Sequence, residues 1–311
     1  MRYEDLHRIL AELGQERSAR LVLSALAEPG DSLVGHLVAE YGVSRTLELG
    51  FGIGGGEGRP EHATDIDRFR RLVAPRASDA TIFRVAEIAD RTDAVVLIPG
   101  DPHWPASLAD LGDAQPLALW ARGDTAVLAQ PYARRISFAG ARAATGYGEH
   151  VTRELATGLV EHGIATVAGG SYGIEAAVHY ATLAASGTTI AVLPSGIDRL
   201  YPSGNTELLQ SIGQSGLLLS ELLPGAAPTK HRLLQRGRIV AALSQATVIV
   251  EAGARSGSLT VADHARSIGR TIAAVPGPVT SPSSAGPHRL LRDLNASLVT
   301  GIPDLHSLIP D

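Results

Sequence analysis

Short apolar runs rich in β-branched residues alternate with helical stretches over most of the chain from about residue 93 onward. This alternation predicts an α/β fold, a doubly wound and mainly parallel sheet with helices on its faces. We assign it to residues 93–302. The predicted strands are Ala94–Ile98, Ile136–Ala139, Ile164–Ala168, Thr188–Leu193, Gly216–Leu219, Ala246–Val250 and Thr271–Val275.

The residues before this region carry a different pattern, in which apolar side chains recur at helical spacing. We therefore predict a small all-helical domain over residues 1–92. The glycines of Phe51–Gly58 superficially resemble a dinucleotide-binding turn, but no strand–helix unit surrounds them, so a loop is the better interpretation. No chemistry is assigned to this domain. Its segments with helical spacing are Arg20–Ala27, Leu33–Tyr41 and Thr81–Ala89.

Composition excludes several classes of protein. The 311 residues include no cysteine, which rules out disulfides, thiolate metal sites and cysteine nucleophiles. The start of the chain has no apolar stretch typical of a secretion signal, and no run approaches the ~20 apolar residues of a membrane helix. We therefore expect a cytoplasmic protein without membrane contact. A formal net charge of −5 means that nucleic-acid binding would need a local basic patch.

Such a patch lies between Leu222 and Val250, a stretch without any acidic residue. Within it, residues 230–238 read Lys-His-Arg-Leu-Leu-Gln-Arg-Gly-Arg, and Lys230 is the only lysine among the 27 lysine and arginine residues. The segment predicts an anion-binding site. The alternative is an ordinary solvated helix face, which is the usual meaning of a charge run.

Glycine-rich turns follow two of the predicted strands, at the edge where sheets of this kind bind ligands. Residues 140–148 read Gly-Ala-Arg-Ala-Ala-Thr-Gly-Tyr-Gly, and residues 169–175 read Gly-Gly-Ser-Tyr-Gly-Ile-Glu. Both turns suit close approach of a phosphate or sugar to the backbone, with tight turns and helix packing as the alternative. Residues 256–258, Ser-Gly-Ser, follow a third strand and suit either a helix cap or a phosphate.

Taken in order, these turns and the segments between them resemble the DNA-processing protein A (DprA/Smf) family, over about Pro99 to Leu298. The motifs that carry the resemblance are Asp101-Pro102-x-Trp104-Pro105, Pro116-Leu117-x-Leu119-Trp120, Gly140-x-Arg142-x-x-Thr145-x-Tyr147-Gly148, Gly169 to Glu175 with His179, Gly187 to Asp198, Tyr201-Pro202, Ser220-Glu221, Arg236-x-Arg238, Val250-Glu251-Ala252, Ser256-Gly257-Ser258 and Val275-Pro276-Gly277.

The resemblance implies a Rossmann-like, non-catalytic protein that binds single-stranded DNA and needs no cofactor or metal. It also implies that the protein protects incoming DNA, loads the RecA recombinase in natural transformation, and forms a homodimer, with single-strand binding protein as a further candidate partner. Arg142, Lys230, Arg236 and Arg238 would neutralise phosphates. The full set of implied nucleic-acid contacts is Arg142, Thr145, Gly169, Gly170, Ser171, Gly173, Lys230, Arg232, Arg236, Arg238, Ser256, Gly257 and Ser258.

Helical geometry restricts how the basic segment could act. On one straight helix, the 100° step per residue would turn Arg232 and Arg236 away from the face that carries Lys230 and Arg238. The basic side chains would then not form one stripe that could follow a phosphate backbone. We therefore predict that residues 230–232 lie in a loop before the helix starts.

The chain departs from the family pattern at three positions near the implied site. Glu175 stands where members usually carry Asp, Gly237 where they carry Asn, and Leu233 where they carry Phe. Loss of an aromatic platform removes about 1–3 kcal/mol of base stacking, so we expect weaker binding unless another ring substitutes. Residues 303–311 are predicted to be a C-terminal tail, and no winged-helix extension is expected before the end at Asp311.

Two other functions stay open on the residues alone. A nucleotide-handling enzyme of a related fold, which binds or hydrolyses nucleotide derivatives, would use Glu175, His179 or Glu251 for acid–base chemistry. No metal-ligand cluster and no nucleophile–base pair is evident to support it. The other alternative is an adaptor whose nucleic-acid site has decayed, as Leu233 and Gly237 would permit.

Overall fold

The computed structural model describes residues 15–52, 62–76 and 93–309, and the elements are numbered within these ranges. The N-terminal part is helical, as predicted. The predicted helix Thr81–Ala89 and most of the glycine-rich loop after Phe51 lie outside the described residues. Two of the observed helices, the third and fourth, were not predicted. The helices are α1 (Gln15–Leu26), α2 (Ser32–Tyr41), α3 (Val43–Phe51) and α4 (Ala63–Val73).

Local capping and apolar packing explain why these segments are helical. Asp31 caps α2, since its carboxylate accepts hydrogen bonds from the amides of Leu33 and Val34. Leu37 of α2 and Phe69 of α4 are fully buried in one shared core. The helical region is therefore a packed unit with its own apolar interior.

The rest of the described chain forms a nine-stranded sheet in the order β1-β2-β6-β5-β4-β3-β7-β8-β9. Every pairing is parallel except those of β2, which is antiparallel to both β1 and β6. The prediction of a mainly parallel, doubly wound sheet is confirmed, but β2 and β9 were not foreseen. The strands are β1 (Val95–Leu97), β2 (Leu119–Gly123), β3 (Arg135–Ala139), β4 (Ala165–Gly169), β5 (Thr189–Leu193), β6 (Leu217–Ser220), β7 (Ala246–Ile249), β8 (Thr271–Ala274) and β9 (Ser297–Leu298).

Helices cover both faces of the sheet. Neighbouring residues of β7 point to opposite faces, so Val248 and Ile249 join two different apolar clusters. No helix within the described ranges is long and apolar enough to span a membrane. The remaining helices are α5 (Gly146–Glu161), α6 (Ile174–Ala184), α7 (Thr206–Ser215), α8 (Lys230–Ala242), α9 (Leu259–Ser267), α10 (Ala285–Asp293) and α11 (Ile302–His306).

The last described helix belongs to the packed structure. Leu305 of α11 is fully buried in the cluster on the α5 face, and Ile302 packs against Gly158 of α5. The tail predicted for residues 303–311 thus begins inside a helix that contributes to the core.

The order of the strands reverses at β3. The chain adds β4, β5 and β6 on one side of β3, and then returns to add β7, β8 and β9 on the other side. β3 and β7 are direct neighbours, paired from Ile136 with Ala246 to Ala139 with Ile249. Loops that leave adjacent strands in opposite directions open a crevice at the carboxyl ends of a parallel sheet. The fold therefore directs a ligand site to the loops after β3 and β7.

Candidate functional site

A cleft of about 610 Å³ lies at this crevice. The loops after β3, β4 and β7 and the first turns of α8 and α9 form its walls. At the carboxyl ends of parallel strands the chain turns into the amino ends of helices, whose unpaired backbone amides point outward and favour an anionic ligand. Among the lining residues are Gly140, Ala141, Arg142, Ser171, Glu175, Tyr201, Thr229, Lys230, Leu233, Arg236, Ser256, Gly257 and Ser258.

Two cations of the lining are available to a ligand. Arg142 lies in the loop after β3, and Lys230 is the first residue of α8; both are exposed. Neither side chain has a hydrogen-bond or ion-pair partner among the residues that the structure describes. Their charges are therefore not cancelled locally, although the chain as a whole is acidic.

Helix α8 begins at Lys230, so the prediction that residues 230–232 lie in a loop is wrong. Thr229 supplies the physical reason. Its backbone is extended, and its hydroxyl accepts a hydrogen bond from the amide of Arg232 at 3.2 Å. Threonine at this position is a standard N-cap, and the helix starts directly after it. The basic residues therefore separate onto different faces of one helix, but Lys230 shares the cleft with Arg236 and not with Arg238.

Arg232 and Arg238, which were predicted to contact nucleic acid, lie outside the cleft lining and point toward carboxylates. Arg232 pairs with Glu28 of the helical region, with Nε 3.1 Å and Nη2 3.2 Å from the two carboxylate oxygens. Arg238 is buried, and its Nη2 lies 2.6 Å from Oε1 of Glu221. Each guanidinium already has a carboxylate partner, so neither one offers its charge to a ligand.

Arg236 reaches the cleft, but its charge is cancelled there. Its Nη2 lies 2.8 and 2.7 Å from the two carboxylate oxygens of Glu175, and 3.3 Å from the hydroxyl of Ser171. Both members of the ion pair are buried. Burial alone would raise the pKa of Glu175, but Arg236 and the Ser171 amide hold that pKa below its usual value. The pair is ionised and rigid, and it forms a neutral part of the cleft.

Two of the glycines predicted to contact nucleic acid are required for close packing around the cleft. A Cβ at Gly169 would coincide with the guanidinium of Arg236, and a Cβ at Gly173 would collide with the carbonyl oxygens of Ala141 and Arg142. Gly173 also has a φ of +72°, which favours glycine. Close packing, which was the alternative interpretation of these turns, accounts for both residues.

Replacing Gly169 by alanine is expected to lower the free energy of unfolding by about 3 kcal/mol or more, because the new methyl group displaces Arg236 from its carboxylate. Urea denaturation measures the change. Gly253→Ala is the matched control, since a Cβ at Gly253 meets no atom within 4 Å. Equal stability of the Gly169→Ala variant and the native chain would contradict this account of the ion pair.

The histidine considered for acid–base chemistry is fully buried. Nε2 of His179 lies 2.8 Å from the carbonyl oxygen of Gly169, and Nδ1 lies 2.7 Å from the hydroxyl of Thr189. A carbonyl can only accept, so Nε2 carries the proton and Nδ1 accepts from Thr189. Burial lowers the pKa of His179 to about 4, which keeps the ring neutral at pH 7.

We expect His179 to make the fold sensitive to acid. Its pKa of about 4 in the folded chain is below the ordinary value of 6.5, so the unfolded chain binds a proton that the folded chain does not. Its stabilising contribution is complete above pH 6.5 and falls by about 1.4 kcal/mol per unit as the pH drops toward 4. Urea titrations at pH 7, 6 and 5 should give a shallower slope for His179→Gln. The exposed His150→Gln should keep the native slope, and equal slopes in all three proteins would refute the assignment.

Glu251, the other acid–base candidate, supports the start of α5. Its carboxylate accepts hydrogen bonds from the amide of Thr145 at 2.9 Å and from the Thr145 hydroxyl at 2.6 Å. The same hydroxyl accepts from the amide of Gly148 as the N-cap of α5. Glu175, His179 and Glu251 are thus all hydrogen-bonded inside the protein in this conformation.

The structure brings together part of the predicted site. The predicted residues that line the cleft are Arg142, Ser171, Lys230, Arg236, Ser256, Gly257 and Ser258. Those outside the lining are Thr145, Gly169, Gly170, Gly173, Arg232 and Arg238. Tyr201 and Thr229 also line the cleft and were not predicted, although Tyr201 belongs to a matched motif and Thr229 precedes the basic segment. Tyr201 is an aromatic ring within a cleft that lacks one at Leu233.

Comparison with known proteins agrees with the fold and the motifs. Residues 95–310 match the family model described as DNA recombination-mediator protein A. The chain belongs to this family. The putative DNA processing protein DprA of Mycobacterium tuberculosis is 46% identical over 229 residues, which cover 70% of this chain and 58% of that protein. The DNA processing protein DprA of Streptococcus pneumoniae is 36% identical over 205 residues, covering 66% of this chain and 71% of that protein. The match thus spans little more than half of the length of the mycobacterial relative.

Solved structures of this family share the fold. The X-ray structure of DNA processing protein A from Streptococcus pneumoniae superposes with a TM-score of 0.75 at 29% identity, covering 94% of this chain and 96% of that one. DNA processing protein A from Helicobacter pylori, described for its single-stranded DNA binding mode, gives a TM-score of 0.63 at 29% identity and covers 70% and 95% of the two chains. The resemblance inferred from the sequence motifs is therefore confirmed.

Proposed function

We propose that this chain binds single-stranded DNA in the cleft at the carboxyl ends of its parallel strands. The observation that carries the proposal is the pair of exposed, uncancelled cations, Arg142 and Lys230, on two separate elements of one cleft. The structural neighbour from Helicobacter pylori, whose description concerns single-stranded DNA binding, supports the choice of ligand. Because the net charge is −5, the attraction for an anionic strand must come from local positive charge such as this pair provides.

The chemistry of the cleft suits a strand held by its backbone. The guanidinium of Arg142 and the ammonium of Lys230 would each neutralise one phosphate, and the hydroxyls of Ser256 and Ser258 would donate to phosphate oxygens. Tyr201 offers a face on which a base could stack, in place of the absent ring at position 233. The proposed action is binding and positioning, with no covalent step, cofactor or metal at the cleft.

The proposal extends to recombination. A protein that holds a single strand by its phosphates leaves the base edges available for pairing, which is what a recombinase needs. We propose that the chain acts in the cytoplasm as a homodimer, protects incoming DNA during natural transformation, and loads RecA onto strands coated with single-strand binding protein. Family membership supports this part. A test is the rate at which RecA filaments form on coated strands, which the chain should raise.

The first test of the DNA site compares a fluorescent oligothymidine with the matching duplex over a salt series. We expect tighter binding to the single strand. Arg142→Ala should weaken binding roughly tenfold at low salt and reduce the slope of log affinity against log salt by about 0.7, the value for one lost phosphate contact.

Arg134→Ala is the matched control for this test. Arg134 is an exposed arginine directly before β3, at the amino end of the strand whose carboxyl end leads to Arg142. Its removal changes the net charge equally but should leave the binding unchanged. Equal binding of duplex and single strand, or equal losses in the two variants, would count against the proposed site.

A further inference from the structure

A group of side chains with metal-binding chemistry lies in the helical region, outside the cleft. His36 lies on α2, His62 directly precedes α4, and Asp65 lies in the first turn of α4. One ligand atom from each residue lies within 4.8 Å of the other two, and all three residues are half-buried. Within the described chain this is the one group of three or more such residues that converge in this way.

The donor set matches zinc. Zn²⁺ binds imidazole nitrogen and carboxylate oxygen at about 2.0–2.2 Å, so tetrahedral donors lie about 3.4 Å apart. The three donors must therefore approach one another by at most about 1.4 Å, a movement within the range of side-chain rotation. The rings of His36 and His62 are tilted, with centroids 5.5 Å apart. Two imidazoles favour zinc and related transition metals over Mg²⁺ or Ca²⁺, which prefer oxygen ligands.

A candidate fourth ligand lies in the sheet domain, beside His36 but outside the group of three that converge within 4.8 Å. Asp113 lies in the short helical segment Ala106–Ala114 that precedes β2, and its Oδ2 is 3.8 Å from Nδ1 of His36. The backbone of Asp113 packs directly against α2, since a Cβ at Gly35 would collide with the Asp113 carbonyl group. This packing holds the backbone of Asp113 beside α2, and its half-exposed carboxylate would rotate toward the two histidines when zinc binds. The four side chains then provide the number of ligands that a structural zinc site uses.

We propose that His36, His62, Asp65 and Asp113 form a zinc site that ties the helical region to the sheet domain. The first three ligands belong to the helical region and the fourth to the sheet domain. The ion would therefore link the two as Arg232 does through Glu28. The sequence contained one weak signal, the spacing of His62 and Asp65 by three residues, which puts both on one side of a helix start.

The test uses the untagged full chain, stripped of metal and then titrated with Zn²⁺. We expect one bound zinc per chain by elemental analysis, and a rise of about 5 °C in the unfolding midpoint at a hundredfold excess over Kd. His36→Gln and His62→Gln should each abolish the bound zinc and the thermal shift. His150→Gln, which alters an exposed histidine on α5, should retain both.

Two further measurements keep the proposal open to refutation if a variant folds poorly. Co²⁺ added to the native chain should give the intense visible absorption of a tetrahedral site, and Zn²⁺ should displace it. Asp113→Asn should weaken zinc binding at least tenfold, whereas unchanged affinity would refute the link to the sheet domain. Absence of stoichiometric zinc on the native chain, or its retention in both histidine variants, would overturn the site.

Discussion

Replacing Glu175 by alanine should lower the free energy of unfolding by about 3–5 kcal/mol. The change leaves the guanidinium of Arg236 buried without a carboxylate, and its Nε already has no hydrogen-bond partner within the described residues. An uncompensated buried charge is among the costliest defects in a folded chain, whereas an apolar pair of similar volume is tolerated. Urea denaturation at pH 7 measures the loss.

The double variant Glu175→Leu with Arg236→Met tests the stated cause. It removes both charges together, so it should recover most of the stability that Glu175→Ala loses. If the double variant is as unstable as the single one, the loss comes from packing and the electrostatic explanation fails.

Binding of single-stranded DNA gives a second readout of the Glu175→Ala change. In Glu175→Ala the charge of Arg236 is no longer cancelled at the cleft, so the affinity for single-stranded DNA should rise several-fold while the stability falls.

Reversing both free charges of the cleft, Arg142→Glu with Lys230→Glu, should weaken single-stranded DNA binding at least about a hundredfold at low salt. Two phosphate contacts are lost, and the two new carboxylates then repel the phosphate backbone of the DNA. The fold should be unaffected, because both side chains are exposed and have no partner among the described residues. Fluorescence anisotropy with an oligothymidine measures the affinity, and the thermal unfolding midpoint checks the fold.

The matched control reverses two arginines at the opposite edge of the sheet, Arg134→Glu with Arg122→Glu. Arg134 directly precedes β3. Arg122 lies in β2 opposite Leu218, near the start of β6. Both doubles change the net charge by the same amount. Equal losses in the two would mean that overall charge rather than the cleft governs binding, and a cleft double with native affinity would exclude these residues from the site.

Most of the sheet could be predicted because its signal is local. A buried parallel strand such as β5, Thr-Ile-Ala-Val-Leu, is a nearly continuous apolar run, and such runs stand out between helical stretches. β2 was missed because its pairing is antiparallel and joins it to β6, almost 100 residues later in the chain. The start of α8 was predicted incorrectly although its signal was local as well. Thr229 is an ordinary N-cap, but the prediction gave more weight to the separation of the basic residues around a helix.

The candidate site was predicted less completely, because charge cancellation depends on residues that are distant in sequence. Arg232 pairs with Glu28 across 204 positions, and Arg236 pairs with Glu175 across 61. No periodicity or motif in the sequence indicates which carboxylate will pair with a given arginine. The same holds for His36 and His62, which become neighbours only when α2 and the start of α4 pack together.

Sequence alone determined the alternation of strands and helices, the glycine turns at the strand ends and the family, because each of these depends on short-range pattern or on an ordered set of motifs. The tertiary structure decided which basic residues remain available. Arg142 and Lys230 stay free in the cleft, while Arg236 and Arg238 are paired with the carboxylates of Glu175 and Glu221. Burial without a partner is too costly for a guanidinium, so packing selects which charges are cancelled and which remain for a ligand.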